Sequence, residues 1–496
     1  MIWPCLQIFN GLLQLDEKLN VIPCIASSWE ISDNGLTYTF HLRNDVWFHK
    51  DACFANRDST RKVTASDFEF SLNRLAEPLT ASPGAWVMKK VLHDASGKLT
   101  GIKAIDDSTL RIRLSETFPP LPGLLTMPYC SVIPFESLEK YGPDFRSHPV
   151  GTGPFKFSFW KEGVKLILLK NENYFEEENG RKLPYLDAID ISFISDKQSA
   201  FIEFLKGKLD FLSGIEGSYK DDLLTHSGLL QEKYTHRFIM DTEPYLNTEY
   251  LGILMDSRDS SFHPLQQKKI RQALSLGFDR KKMIAYLRNN IGTPGIYGIV
   301  PPGLPSFNGD TAVYEYDPLA ARRLLSEAGY PNGSGLPAIT LSTTNNYLYL
   351  CEFIKSQWEE LGFRIKIDVN QAAVHRKMIA EQRLEFFRGS WIADYPDAEN
   401  YLSLFYSGNF APGGPNYTHF QNKNFDTLFE KANSETNDSI RYRQYVELDR
   451  MMMEEAPVII LYYDKVLRIY RKNVLGLRSN AMNLLVLKTV SLAKQD

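Results

Sequence analysis

From Tyr250 to about residue 470, short apolar runs alternate with amphipathic, well-capped runs, and this alternation narrows the possible folds more than any other feature. YLGILMD, from Tyr250, reads as a strand. Pro264 to Leu276 reads as a helix, and Asp279-Arg280 opens another through Leu287. DPLAARRLLSEAG, from Asp317, carries nearly every helix signal: Asp317 at the N-cap, Pro318 in the first turn, Leu324, Leu325 and Ala328 on one face, and Gly329 as the stop. ITLSTT then reads as a strand, Tyr349–Leu361 as a helix, FRIKIDV as a strand, Ala373–Gln382 as a helix and LEFFRGSW as a strand. Residues 423–455 are helical, and VIILYYDKVLRIY reads as a strand pair. Strand–helix–strand repetition buries a sheet under helices, so this half is an α/β domain.

The first half reads differently. Residues 7–16 form an amphipathic segment ending at a polar turn. Residues 26–48 read as a hairpin, with alternating apolar residues on either side of Asp33-Asn34-Gly35. Thr64–Leu75 reads as a helix capped by Thr64 and Asp67, and residues 104–114 as a second hairpin with Asp106-Asp107 at its turn. Pro119–Pro134 is a buried irregular connection. Val150–Phe155, VGTGPF, resembles a phosphate loop only superficially. Pro154 and a strand-like run follow it, where a phosphate loop needs a helix N-terminus, so it reads as a turn leading into a strand. Residues 184–194, 196–207 and LDFL read as strand, helix and strand.

Chemistry concentrates between Phe386 and Asn400. A strand-like run ends at Trp391, a lone acid follows at Asp394 between Ala393 and Tyr395, and Pro396 turns the chain. A carboxylate between two aromatic rings suits a cationic group, with charge and acceptors from the acid and π faces from the rings. A turn or cap acid has the same spacing, so the residues alone leave both roles open.

Composition removes several classes. There are 56 basic and 60 acidic residues, with no basic run, so nucleic acid is not a partner. No stretch is long and apolar enough to span a bilayer. The five cysteines, Cys5, Cys24, Cys53, Cys130 and Cys351, form no CxxC pair, so they indicate neither zinc nor a disulfide framework and read as buried free thiols. Cys5 and Cys24 are the pair that export would allow to join. No HExxH or GxSxG is present, and the turn at Pro396 points Asp394 and Asp397 apart, against a paired-carboxylate hydrolase. No catalytic residue, metal ligand or cofactor is expected. The opening residues have no basic region and no small-residue cleavage site, so no signal peptide is read in this chain.

Eight stretches in order, IFNGLLQLD, ASSWEISDNGLTYTFHLRNDVWF, VTASDFEFSLNRL, GTGPFKF, IRQALSLGFDR, PPGLPSF, DPLAARRLLSEAGY and WIADYPDAENY, resemble the peptide-type solute-binding proteins of ABC importers, the oligopeptide- and dipeptide-binding group known as family 5. The resemblance implies a periplasmic-binding-protein-like fold of class II type, with two α/β lobes joined by a hinge and an extra inserted domain. It places domain I at 1–26, 151–250 and 471–496, domain II at 27–150, and domain III, which closes over the ligand, at 251–470.

The resemblance also implies that Asp394 pairs with the α-amino group of a bound peptide, flanked by Trp391, Ala393 and Tyr395. Arg388, read as sharing a face with Trp391, matches a basic position that meets peptide carboxylate, and Trp86 is a wall residue from domain II. The partners implied are a small peptide and ABC permease subunits. The membrane is met only through the permease or a lipid anchor upstream, and the protein is a periplasmic or cell-surface monomer. Relatives of the same fold take nickel chelates, haem, sugars or opines instead. The chain departs from the family pattern in three places. It starts at the segment that family members precede with an export signal and a strand. The insert FANRDSTRK lengthens domain II. The helix opening NNYLYLCEFIK has no Arg or His at its start, against strict dipeptide specificity.

Overall fold

The computed structural model describes residues 2–214, 219–256 and 264–493. The chain divides into two compact units. Unit 1 is Met1–Glu216, Thr235–Thr242 and Leu467–Asp496, and unit 2 is Gly217–Tyr234 and Glu243–Val466.

Unit 1 begins with α1 (Ile2–Ile8), so only the first residues of the expected amphipathic segment are helical. β1 (Ala26–Ser32) and β2 (Thr37–Leu42) form the expected hairpin. Asn34 and Gly35 at its turn take positive φ of 53° and 89°. α2 (Ala65–Ala76) is capped as its sequence indicates, the Thr64 backbone N–H donating to the Asp67 carboxylate at 2.9 Å. β3 (Ile102–Asp106) and β4 (Thr109–Arg113) complete a four-stranded antiparallel sheet in the order β1-β2-β4-β3. Phe68 and Leu72 of α2 are fully buried in this unit.

A second, three-stranded antiparallel sheet has β5 (Phe155–Lys161), β6 (Lys165–Lys170) and β7 (Ala188–Ser192) in the order β7-β6-β5. VGTGPF is indeed the turn before β5. Its glycines lie against the end of α1, where a Cβ on Gly151 would sit 2.0 Å from the Ile8 carbonyl oxygen, so close approach rather than phosphate explains them. α3 (Lys197–Leu205), capped by Asp196, leads to β8 (Phe211–Ser213). All five cysteines are free thiols, with Cys5 and Cys53 half-buried rather than buried.

Unit 2 is the expected α/β body. β9 (Phe238–Ile253) opens it, followed by α4 (Lys268–Leu276), α5 (Arg280–Arg288), α6 (Pro318–Glu327), β10 (Ile339–Thr344), α7 (Leu348–Glu360), β11 (Ile365–Asn370), α8 (Ala372–Ala380) and β12 (Phe386–Ile392). α9 (Lys423–Ser434) and α10 (Asp438–Glu455) precede β13 (Val458–Arg471). The strands run β13-β9-β12-β10-β11, with β10 parallel to both β11 and β12, and β9 antiparallel to β12. Trp358 of α7 is fully buried in the core over this sheet, with Phe278 edge-on at 5.9 Å, together with Leu251, Leu274, Leu341 and Phe386.

Two strands differ from expectation. VIILYYDKVLRIY lies within one 14-residue strand rather than forming a pair, because Asp464 and Lys465 stay extended and Asp464 spends its charge on Arg288. The strand containing YLGILMD begins at Phe238, through the polar, proline-containing DTEPYLNTE. The chain changes unit inside these two strands, at 242/243 and 466/467.

One buried acid gives unit 2 a pH response. Asp449 of α10 accepts the Ile299 backbone N–H at 2.8 Å, and Gly298 packs so near that a Cβ there would meet its carboxylate at 1.8 Å. Burial lifts its pKa from 3.8 to about 7, with the Ile299 and Val300 amides pulling the other way. Between those values the folded chain holds a proton that the unfolded chain releases. Stability from this group is therefore full below pH 3.8 and falls as pH rises through about 7, by on the order of 4 kcal/mol. Asp449→Asn should remove that slope in urea titrations across this range, and an unchanged slope would refute the assignment.

Candidate functional site

The site is built at the carboxyl edge of the parallel strands β10 and β12. In open α/β sheets this edge is where ligands bind, because the chain leaves each strand there in loops free to meet them. β12 is held in register by β9, with Thr248 opposite Trp391 and Leu251 opposite Arg388. Past its end, the Ala393 backbone N–H donates to the Leu246 carbonyl at 2.9 Å, and the Tyr401 hydroxyl donates to the same oxygen at 2.6 Å. The loop is thus tied to β9 on both sides of Asp394.

Asn400, buried, fixes the centre of that loop. Its Oδ1 accepts from the Trp391 indole N–H at 2.8 Å and from the Asp394 backbone N–H at 3.1 Å. Asp394 itself is exposed, and among the described residues its carboxylate has no ion-pair partner. Partial desolvation raises its pKa above 3.8, against a lowering hydrogen bond from Asn400.

The residues around it are otherwise committed. Tyr395 is buried, and its hydroxyl donates to the Glu399 carboxylate. Asp397 is buried, accepts the Glu399 N–H at 2.9 Å and lies 3.7 Å from the Arg441 guanidinium. Burial raises its pKa, while the Glu399 amide and Arg441 lower it. Asp397 thus serves the loop's fold, as the turn at Pro396 suggests.

Arg388 and Trp391 do not share a face. They are three apart in a strand of period two, so they project to opposite sides of β12. Arg388 is largely buried and forms an ion pair with Glu249 of β9, which is 2% exposed, while the Tyr347 ring centroid lies 3.2 Å from its guanidinium carbon. Burial raises the pKa of Glu249, and Arg388 acts in the opposite direction. Nearby, Arg288 pairs with Asp464 at 2.6 Å and donates to the Tyr462 hydroxyl at 3.0 Å. Glu249, Tyr347 and the Arg288–Asp464 pair carry no motif of their own. The available signal was an acid in the apolar run TEYLGIL, which needs a buried cation.

Trp86 belongs to unit 1, on the short turn Ala85–Met88, and is 42% exposed. Among the described residues no group of three or more His, Cys, Asp or Glu is arranged to hold a metal ion, and no helix is long and apolar enough to cross a membrane.

The exposed Asp394 carboxylate offers negative charge and hydrogen-bond acceptors, which suit a cationic group. The family model described as bacterial extracellular solute-binding proteins, family 5, middle, matches residues 20–412. The haem-binding protein A of Haemophilus influenzae is 30% identical over 468 residues, covering 91% of this chain and 81% of that protein. The glutathione-binding protein GsiB of Escherichia coli is 26% identical over 477 residues, covering 94% and 85%. Among solved structures, the ABC transporter-associated periplasmic binding protein DppA of Helicobacter pylori, in complex with the peptide STSA, superposes with a TM-score of 0.80 at 23% identity, covering 99% of this chain and 96% of that one. HbpA2 of Haemophilus parasuis gives 0.82 at 23%, covering 99% and 94%. These relatives are binding proteins rather than enzymes. With a family match across most of its length and a relative at 30% identity, the chain belongs to the bacterial extracellular solute-binding proteins of family 5, which serve ABC transporters.

Proposed function

We infer that this protein captures peptides by their α-amino group at Asp394 and delivers them, as a monomer, to the permease of an ABC importer. The observation that carries the reading is the Asp394 carboxylate. It is exposed at the carboxyl edge of the sheet, held by Asn400, and without an ion-pair partner among the described residues, where Asp397 and Glu249 each face an arginine. A desolvated ammonium needs a full counter-charge and acceptors for its N–H groups, and Asp394 supplies both. The Trp391 indole, fixed by Asn400, and the Ala393 backbone flank it. Tyr395, buried, is tied to Glu399 in the same loop. Backbone pairing of the ligand with neighbouring strands would add affinity without reading side chains, which suits varied peptides. The same reading keeps residues 27–150 as an inserted domain, closure over the ligand by a hinge, and Trp86 as a wall residue on closure.

Native mass spectrometry of the purified protein, before and after denaturing release, tests this. A ladder of short peptides is the expected result. A single non-peptide mass, such as haem, would overturn the ligand and leave the family untouched.

A further inference from the structure

Arg388 is the cation that a short peptide's carboxylate would be expected to meet, and it is already occupied. Its guanidinium is paired with the buried Glu249 and covered by the Tyr347 ring. Tyr347 follows the end of β10 and Asp394 follows the end of β12, and these strands are parallel, so both lie at one edge of the sheet. The second arginine of this cluster, Arg288, is likewise neutralised by Asp464. Beside these two paired arginines, the Asp394 carboxylate has no ion-pair partner among the described residues.

We propose that Glu249 and Tyr347 mask Arg388, so that the site takes an amine-bearing ligand and rejects one whose free carboxylate lies within a dipeptide's length of that amine. This rests on Asp394 as the amine anchor. A free carboxylate brought to this cluster loses water and finds both of its arginines already paired, whereas a neutral amide in its place loses far less. A peptide long enough to carry its carboxylate away from the edge escapes the penalty. The missing Arg or His at the start of α7 acts in the same direction, since Tyr347 and Tyr349 stand there instead. Glu249 and Tyr347 are thus specificity-determining residues.

The test is titration calorimetry with alanyl-alanine, alanyl-alaninamide and tetra-alanine. Wild-type protein should bind the amide about tenfold or more tightly than the dipeptide acid, with tetra-alanine closer to the amide. Glu249→Gln, which removes the masking charge, should bring the acid level with the amide or ahead of it, and Tyr347→Ala should shift the ratio in the same direction. Glu249→Gln leaves Arg388 buried without its counter-charge, so the double variant Glu249→Gln/Arg388→Met is included; it should fold and return to the wild-type ratio. An ion pair that only stabilises the fold would leave the acid-to-amide ratio unmoved in every variant. Equal binding of acid and amide by wild-type protein, or an unmoved ratio in folded Glu249→Gln, overturns the proposal. If Asp394→Ala leaves tetra-alanine binding intact, the anchor itself is wrong and the proposal falls with it. If Asp394→Ala abolishes binding but the ratios do not move, the anchor stands and the mask alone fails.

Discussion

Asp394→Ala should abolish peptide binding at micromolar protein while leaving the melting temperature within a degree or two of wild type. A desolvated ammonium left without its counter-charge costs roughly 2–5 kcal/mol, which is about thirty-fold to several thousand-fold in affinity. The fold should not notice, because the carboxylate is exposed and has no ion-pair partner among the described residues. Asp394→Asn keeps the shape and one acceptor but loses the charge, so it should fall between. The pH dependence has a definite sign. Binding needs the ionised carboxylate, and desolvation raises its pKa above 3.8, so affinity falls as pH drops through that raised value. A bound amine favours the ionised form and shifts the loss to lower pH. Calorimetry across an acid series reads both effects. Binding by Asp394→Ala within threefold of wild type would sink the amine-anchor assignment.

Asp394 stood out as a candidate because a tryptophan ends the strand before it and tyrosine and proline follow, although that order fits a turn acid equally and only the family resemblance favoured a ligand role. Local capping was legible, since Thr64 with Asp67, Asp279 and Asp317 act within a few residues of themselves. The partner of Arg388 was not. Glu249 lies 139 residues away and meets it only because β9 and β12 are neighbours, a pairing that one sequence does not display. The face of Arg388 was misjudged because a spacing of three is meaningful on a helix and reverses sides on a strand. β13 looked like two strands because Asp-Lys in an apolar run imitates a turn. Arg288, remote in sequence, lets Asp464 stay extended.

Arg280 should prove the most costly polar residue to remove from unit 2. It opens α5 beside Asp279, where its spacing suggested only a helix start, yet the residue is only 2% exposed. Its Nε donates to the Ile460 carbonyl at 2.7 Å, and its Nη1 to the carbonyls of Ser275 at 2.8 Å and Tyr314 at 3.3 Å. The guanidinium also sits 4.2 Å from the Phe278 ring centroid. Burial lowers its pKa to about 9, so it remains a cation at neutral pH. One side chain thus joins the end of α4, the strand β13 and the segment before α6. Arg280→Met keeps most of the volume and leaves these carbonyls without that donor inside the core. An orphaned buried acceptor costs roughly 1–3 kcal/mol, so the expected loss is on the order of 4 kcal/mol. Arg280→Lys should recover part of it, since an ammonium reaches one or two carbonyls but lacks the planar fork. Trp358 is the reporter, being buried 5.9 Å from Phe278. Its fluorescence in urea should show the midpoint falling in the order wild type, Lys, Met. A Met variant that unfolds at the wild-type midpoint would mean that water or backbone rearrangement satisfies those carbonyls, and that Arg280 does not tie these elements together.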